Sequence, residues 1–249
     1  MSLIAAEDTR TARQLLNRYN IKANLTSYHE HNKREKLNML MDHLKTGDIA
    51  LISEAGMPGI SDPGYELVQN AIKQQITVIA IPGPSASVTA LAASGLPSDR
   101  FMHLGFLPRK HGERIRFLQN VVSESCSLIC FESPHRLIES LRDIEKVLGN
   151  REIAVCRELT KVHEEIFRWN ISDAIIYFRQ PLGEFTLVVK GFNELGSRVV
   201  NEKIFNDLYN LYRNGLKTKE AVAMISETSG ISKKKLYECW LEMIKGEKV

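Results

Sequence analysis

The sequence has few cysteines and no long apolar run. Four cysteines occur in 249 residues, and none of their spacings forms a CxxC pair or a zinc-binding cluster. No stretch approaches the roughly 18 apolar residues of a membrane-spanning helix, and no signal peptide is evident. The most metal-like group, His29-Glu30-His31, lacks a third ligand. The sequence therefore predicts a soluble, cytoplasmic protein with reduced thiols, no bound metal and no membrane partner.

The chain also lacks a strong overall charge. Its net charge of +3 is too small for a polycation, and its composition of 43% hydrophobic and 25% charged residues is that of an ordinary globular protein. The excess is local, because residues 197–249 hold 10 Lys/Arg against 7 Asp/Glu. A length of 249 residues is sufficient for two domains.

The most informative stretch is residues 48–64. Ile49–Ser53 has the composition of a buried strand, and glycine, proline and aspartate then interrupt the backbone repeatedly before helical spacing resumes at Tyr65. A second predicted strand, Ile76–Ile81, runs into the loop 82–86 and a helix of small residues. Two such junctions are typical of a ligand crevice at the carboxyl ends of strands in an α/β sheet. A merely structural turn is the alternative.

The α/β pattern restarts after residues 96–109, an extended segment with two prolines and a glycine that we interpret as an inter-domain linker. Further strands are predicted at 127–131, 153–156 and 185–189, and helices at 114–122, 137–148 and 161–179. The predicted fold class is α/β, with domains at residues 1–104 and 105–195. A small helical domain, residues 196–249, completes the predicted organisation.

The C-terminal segment is different in kind. Its apolar spacing predicts helices at 202–213, 218–228 and 233–244, and the last two resemble a helix-turn-helix unit. Lys233, Lys234 and Lys235 open the last helix, where positive charge opposes the helix dipole. A phosphate group would reverse that cost, so the pattern favours nucleic acid. A helical appendage with a solvated lysine run is the alternative.

Two polar loops follow predicted strands in the second half of the chain. The first runs from Glu132 to Arg136, and the second runs from Arg157 to Lys161. Both loops are placed to bind a ligand or to transfer a proton. Helix capping and ion pairing between domains would explain the same charges structurally.

Eight ordered motifs give the chain a specific resemblance. They are AEDTR (6–10), HEHN (29–32), SEAGMPGISDPG (53–64), PGPSA (82–86), SGLPSDRF with GFLP (94–108), ESPHRL (132–137), RELTK (157–161) and GE with LVV (183–189). Together they resemble the family of ribosomal RNA small subunit methyltransferase I, which belongs to the tetrapyrrole (corrin/porphyrin) methylase superfamily. The resemblance extends over essentially the whole chain.

The resemblance implies an S-adenosylmethionine-dependent 2′-O-methyltransferase that acts on a decoding-site cytidine of 16S rRNA. It leaves open whether naked rRNA or the assembled small ribosomal subunit is the substrate. It also implies two α/β domains of the tetrapyrrole methylase type with the cofactor in the cleft between them, and a homodimer. The alternatives are a small-molecule methylase of the tetrapyrrole type and a non-catalytic ribosome-binding factor.

The resemblance also implies site residues. The expected adenosylmethionine contacts are Ala55, Gly56, Met57, Ile60, Ser61, Asp62, Ser85, Ala86, Phe131 and Leu159. We further hypothesise that Glu158 or Glu132 accepts the proton of the substrate hydroxyl. Arg136, Arg157 and Lys161, together with the three lysines at 233–235, are the expected RNA contacts.

The chain departs from the family pattern at two places. Glu54 and Met57 stand where the family usually has Asp and Thr, so their side-chain contacts are expected to differ while the backbone contacts persist. The family also begins with a strand and a Pro-Ile-Gly-Asn-Leu loop, whereas this chain opens on Met1-Ser2-Leu3 and what looks like a strand already under way. We therefore expect an N-terminally truncated chain that binds adenosylmethionine weakly or not at all.

Overall fold

The computed structural model describes residues 3–192, 202–229 and 231–246. Its first sheet contains three parallel strands in the order β2-β1-β3. The elements of this part, in chain order, are β1 (Leu3–Ala6), α1 (Thr9–Arg18), β2 (Asn24–Ser27), α2 (Lys33–His43), β3 (Ile49–Ile52) and α3 (Tyr65–Lys73). The Asp8 side chain caps α1 by accepting from the Arg10 amide. Tyr28, Leu40 and Leu67 are buried together between the strands and α2 and α3.

The predicted strand at Ile76–Ile81 is wrong. Residues 76–85 adopt no regular structure, and no strand of the described residues pairs with them. Ile79 and Ile81 are 76% and 74% exposed. The apolar, β-branched composition fits a strand, but a strand also needs a hydrogen-bonded neighbour, and β3 pairs only with β1 within the described part of the chain.

The second sheet contains five strands in the order β4-β5-β8-β6-β7, in which β4 and β5 are parallel and the other neighbours are antiparallel. Its strands are β4 (Phe101–Phe106), β5 (Ser127–Glu132), β6 (Glu152–Arg157), β7 (Glu165–Asn170) and β8 (Phe185–Val189). The helices α5 (His111–Gln119), α6 (Leu137–Leu148) and α7 (Ile171–Tyr177) belong to the same part of the chain. They contribute Leu118, Leu141 and Ala174 to a core on one face of the sheet.

Two further predictions for this part need correction. The helix predicted at 161–179 is strand β7 followed by the short helix α7, because residues 165–170 include the β-branched Ile166 and the aromatic Phe167 and Trp169 and pair with β6. The segment interpreted as a linker contains β4, which pairs with β5. Its prolines, Pro97 and Pro108, lie just outside that strand.

Helix α4 (Ala86–Ser94) links the two α/β parts. It follows the loop 82–85, yet its buried residues Ala90 and Leu91 pack against Ile129, Ala154 and Val188 of the second sheet. The second sheet is therefore covered on one face by α5–α7 and on the other by α4. This arrangement brings the loop before α4 close to the carboxyl end of β5.

The C-terminal helices are α8 (Glu202–Arg213), α9 (Thr218–Ser229) and α10 (Lys233–Gly246). They enclose a core of their own, centred on Leu208, Leu236 and the 1% exposed Trp240. The predicted helical segment is confirmed. None of the described helices is long and apolar enough to cross a membrane.

Candidate functional site

The loop between β3 and α3, residues 53–64, carries six of the predicted cofactor contacts, and we call it the cofactor loop. Gly56 has φ = +79° and Ser61 has φ = +67°, so the chain turns sharply at both residues. The Ser53 hydroxyl donates to the carbonyl oxygens of Ala55 and Gly56 at 3.3 and 3.4 Å. Ala55 and Ile60 are exposed, and Ile60 presents half of its side chain to solvent.

The loop before α4 lies against the cofactor loop. A Cβ atom at Gly56 would lie 3.9 Å from the Pro84 carbonyl oxygen. Ser85 occupies the N-cap position of α4 but makes no side-chain capping hydrogen bond, and Ala86 is exposed at the first helical position. The first turn of α4 therefore presents backbone N–H groups that no Ser85 side-chain bond caps, and such groups can bind an acceptor.

His103 of β4 joins these two segments to the second sheet. Its Nε2 lies 3.0 Å from Ser61 Oγ and its Nδ1 lies 3.2 Å from Ser87 Oγ. Its ring also meets the Phe131 ring edge-to-face, with 5.1 Å between centroids. Burial of the imidazole lowers the pKa of His103 below its usual value of 6.5. The ring is therefore neutral at pH 7 and contacts three of the predicted cofactor segments.

Asp62 gives the crevice an unusual carboxyl group. Its pKa is raised from 3.8 to about 6, first because it is partly buried and then because Glu7 and Glu54 lie nearby, while a hydrogen bond from Ser53 acts in the opposite direction. Glu7 in turn accepts from the Glu54 amide at 3.1 Å. Within the described residues, no group of three or more His, Cys, Asp or Glu side chains is arranged to hold a metal ion.

Glu132, one of the two predicted proton acceptors, is enclosed. It is 2% exposed and accepts from the Ser133 amide at 2.7 Å, from Ser140 Oγ at 2.5 Å and from Arg136 Nη2 at 2.5 Å. Arg136 also donates to the Leu107 carbonyl oxygen at 3.3 Å. These contacts connect β5 to α6 and to the residue that follows β4. They are consistent with a structural role for Glu132.

Glu158, the other predicted acceptor, is partly accessible and tightly bound. It accepts from the Glu184 amide at 2.9 Å and from Lys161 Nζ at 3.0 Å, and these contacts, the amide first, lower the pKa of its carboxyl group. A lowered pKa makes a carboxylate a weaker base. Arg157 Nε donates to the Leu182 carbonyl oxygen at 2.6 Å, and its Nη1 lies 3.2 Å from Glu165 Oε2. These hydrogen bonds attach the loop at residues 157–161 to residues 182–184, which precede β8.

The structure brings the predicted cofactor residues together and separates the predicted RNA contacts into distinct places. The cofactor loop, the start of α4 and Phe131 surround His103, and Leu159 packs against the α4 cluster. Arg136 is held by Glu132, whereas Lys161 is engaged by Glu158 and Glu184. Lys233 and Lys234 are exposed at the start of α10, and Lys235 is half-buried.

Sequence reasoning missed His103 and Ser87. The available signal was Gly105, because a glycine inside a strand pattern often marks a bulge. The β4–β5 register does shift between His103 and Gly105. A cavity of about 800 Å³ also lies between α1 and β2, and it holds none of the predicted site residues.

The matching protein-family model and the similar known proteins agree with each other. Residues 2–175 match the family model of the Tetrapyrrole (Corrin/Porphyrin) Methylases. The chain is 44% identical over 247 residues to ribosomal RNA small subunit methyltransferase I of Halalkalibacterium halodurans, a match covering 95% of this chain and 84% of that protein. It is 40% identical over 251 residues to the protein of that name from Escherichia coli O157:H7, with 97% and 86% covered.

Solved structures share the fold at low sequence identity. A diphthine synthase aligns with a TM-score of 0.58 at 12% identity, covering 76% of this chain and 79% of that chain. A uroporphyrin-III C-methyl transferase from Thermus thermophilus, complexed with S-adenyl homocysteine, aligns with a TM-score of 0.50 at 14% identity, covering 76% and 84%. The predicted α/β fold of the tetrapyrrole methylase type, with additional C-terminal helices, is confirmed.

Proposed function

We propose that this chain, which belongs to the family of ribosomal RNA small subunit methyltransferase I within the tetrapyrrole methylases, transfers a methyl group from S-adenosylmethionine to 16S rRNA. The observation that carries the proposal is the convergence of the cofactor loop, the start of α4 and Phe131 on one crevice. This convergence occurs in a chain that matches such methyltransferases along most of its length.

The residues of the crevice fit S-adenosylmethionine. Met57, Ile60 and Phe131 offer apolar surface for an adenine ring. Gly56 leaves space beside Pro84 that a side chain would fill, so a ligand can approach the backbone there. Ser61 and Asp62 offer a hydroxyl and a carboxylate to a ribose. The bound cofactor would supply an electrophilic methyl group on a sulfonium.

The protein's task in this reaction is mainly positioning. Methyl transfer is a displacement in which the substrate hydroxyl must lie in line with the methyl group, and holding the reactants in place supplies much of the rate. The finer proposal is that the acceptor is the ribose 2′-hydroxyl of a decoding-site cytidine. Ribose methylation blocks alkaline cleavage at the modified nucleotide, so partial hydrolysis of the product RNA tests this point.

Glu158 remains our proposed proton acceptor, because Glu132 is enclosed by three hydrogen-bond donors. Because the lowered pKa of Glu158 makes its carboxylate a weak base, we expect a modest contribution to the rate. The carboxylate would accept a proton that is already leaving the substrate oxygen. Glu158→Gln should therefore lower kcat without raising KM for the cofactor. An unchanged kcat would remove Glu158 from this role.

The proposed RNA surface includes one face of α10. Lys233 and Lys234 are exposed, and Tyr237, one turn further along the helix, is 48% exposed. Lysines suit the phosphate backbone, and an exposed tyrosine suits an unstacked base. Arg136, Arg157 and Lys161 form the second proposed group of contacts, at the carboxyl ends of β5 and β6.

One incubation separates this function from its alternatives. The protein and methyl-labelled adenosylmethionine are mixed with small ribosomal subunits, naked 16S rRNA or a porphyrinogen. Label in either RNA sample supports the proposal and identifies the substrate form. Label in the porphyrinogen indicates a small-molecule methylase, and label in none, with protein bound to the subunits, indicates a binding factor.

We also propose a homodimer that acts in the cytoplasm, where its rRNA substrate is found. Trp169 of the edge strand β7 is 73% exposed, and Ile176 of α7 is 63% exposed, so this side of the second sheet offers apolar surface to a partner. Light scattering after size-exclusion chromatography measures the mass directly. A monomer at micromolar concentration would contradict the dimer.

A further inference from the structure

We propose that His103 is a positioning residue that holds the cofactor loop in its binding conformation. The identity of the ligand rests on the proposed function, but the positioning role rests on geometry alone. His103 Nε2 lies 3.0 Å from Ser61 Oγ, and Nδ1 lies 3.2 Å from Ser87 Oγ of the 4% exposed Ser87. One ring thus ties the loop of the first sheet to α4 and to the second sheet.

The position of His103 depends on an irregularity in β4. The pairing of β4 with β5 shifts between His103 and Gly105, and Gly105 has φ = +66°. Bulges of this type redirect side chains and are frequent beside active sites. A Cβ atom at Gly105 would stand 3.7 Å from Ser61 Oγ, so the same bulge brings the strand into contact with the loop.

The cofactor loop needs support from outside. Ser61 adopts φ = +67°, which a non-glycine residue rarely adopts without local compensation. Between Ser53 and Asp62, the described backbone hydrogen bonds include a single bond within the loop, from the Ile60 amide to the Met57 carbonyl oxygen at 3.2 Å. The hydrogen bond between Ser61 and His103 supplies support at the strained residue itself.

A neutral imidazole suits this role. One ring nitrogen donates and the other accepts, and each serine hydroxyl can take the complementary part. Phenylalanine at position 103 would keep the contact with Phe131 but make neither hydrogen bond. Glutamine would keep a donor and an acceptor. Comparison of His103→Phe with His103→Gln therefore distinguishes the effect of the hydrogen bonds from the effect of side-chain volume.

Amide hydrogen exchange without cofactor tests the positioning role. In His103→Phe, amides of residues 53–64 should exchange about ten-fold faster, as expected for the loss of about one ordinary hydrogen bond, while amides of α6 stay unchanged. His103→Gln should restore most of the protection. His163→Phe, at an exposed histidine between β6 and β7, is the matched control. Unchanged exchange at residues 53–64 would overturn the proposal.

Calorimetry with S-adenosylhomocysteine tests the link to the ligand. His103→Phe should raise Kd about ten-fold, whereas His103→Gln should restore most of the affinity. In the exchange experiment, the double variant of His103→Phe and Ser61→Ala should exchange no faster than His103→Phe alone, because both substitutions remove the same hydrogen bond between these two residues. Binding by the wild type that His103→Phe leaves unchanged would overturn the link between His103 and the ligand. A protein that binds and shows these effects but methylates no RNA would contradict only the proposed reaction.

If exchange rises equally in residues 53–64 and in α6, His103 stabilises the whole fold. That outcome would also overturn the positioning role. Ser61→Ala removes the same hydrogen bond from the side of the loop. It therefore provides the same hydrogen-exchange test should His103→Phe fail to fold.

Discussion

At the residue scale, the surroundings of Asp62 disfavour the ionised form of its carboxyl group. Partial burial and the neighbouring Glu7 and Glu54 raise its pKa from 3.8 to about 6. The folded protein therefore binds the proton more tightly than the unfolded chain does. The ionised carboxylate lowers stability progressively as pH rises from about 4 to about 6, and the cost stays constant at higher pH.

Asp62→Asn should accordingly stabilise the protein at pH 7. Two pKa units correspond to about 3 kcal/mol, but the carboxyl group is partly exposed and screened by water, so we expect a gain of about 1 kcal/mol. At pH 4 the gain should vanish. Denaturant unfolding at both pH values measures it, with the exposed Asp42→Asn as control. A loss of stability at pH 7 would show that the charge is favourable.

Arg114 and Asp143 form a buried pair. Arg114 is 1% exposed, and its Nε and Nη2 lie 2.7 and 2.6 Å from Asp143 Oδ2. Its Nη1 donates to the carbonyl oxygens of Pro108 and Arg109. Asp143→Ala would leave the buried guanidinium with only the exposed Glu139, 3.9 Å away, as counter-ion, so we expect a loss of about 3 kcal/mol in the free energy of unfolding.

The matched control for Asp143→Ala is Asp42→Ala, because Asp42 pairs with Lys45 at the surface, where both side chains are more than 60% exposed. Its loss should stay below about 1 kcal/mol. Equal losses in the two variants would contradict the burial argument. Chemical denaturation of both proteins decides the matter.

Sequence reasoning at this scale found residues whose role is local. The glycines and prolines of the cofactor loop can be recognised in the sequence, because each residue type allows particular backbone conformations. His103 and Ser87 could not be found in this way, because their meeting depends on two sheets packing around α4. The burial of Arg114 could not be predicted either, since a sequence does not show that an aspartate 29 residues away neutralises it.

At the element scale, prediction succeeded where apolar spacing and capping agreed. Helix α8 and strand β8 have the bounds that the sequence predicts, and α3 begins at Tyr65, where helical spacing resumes in the sequence. Prediction failed where pairing decides. Residues 76–81 have strand composition without a partner among the described strands. The segment of β7 was mistaken for a helix because the three-residue spacing of Ile166 and Trp169 also fits a helix.

Helix α4 offers a prediction about packing. Ala90 is completely buried against the second sheet, and the helix approaches closely because its buried residues are small. Ala90→Leu would insert three carbon atoms into that contact, so we expect a loss of about 1 to 3 kcal/mol in the free energy of unfolding. Urea titration of the purified variant measures the loss.

Ala92→Leu is the control for Ala90→Leu, because Ala92 lies on the exposed side of the same helix. Leucine and alanine have similar helix propensities, so this variant should change stability by less than about 0.5 kcal/mol. A similar loss at both positions would mean that the helix, and not its contact with the sheet, limits stability.

At the scale of the whole molecule, charge is unevenly distributed. Residues 197–249 carry the entire net charge of +3, and two exposed lysines of that segment stand at the start of α10. The first α/β part contributes the cofactor loop, the second contributes Phe131 and His103, and the C-terminal helices contribute basic surface. Each part therefore has a different task in the proposed reaction, and RNA affinity can be changed without touching the crevice.

The double substitution of Lys233 and Lys234 by alanine should weaken RNA binding and lower its salt dependence. Because each phosphate contact contributes about 0.7 to 0.9 to the slope of log K against log salt, the slope should fall by about 1.4 to 1.8. Fluorescence anisotropy with a 16S rRNA fragment at several salt concentrations measures it. The control replaces Lys45 and Lys73, two exposed lysines of the first α/β part. An unchanged slope in the Lys233/Lys234 variant would show that α10 does not contact phosphate.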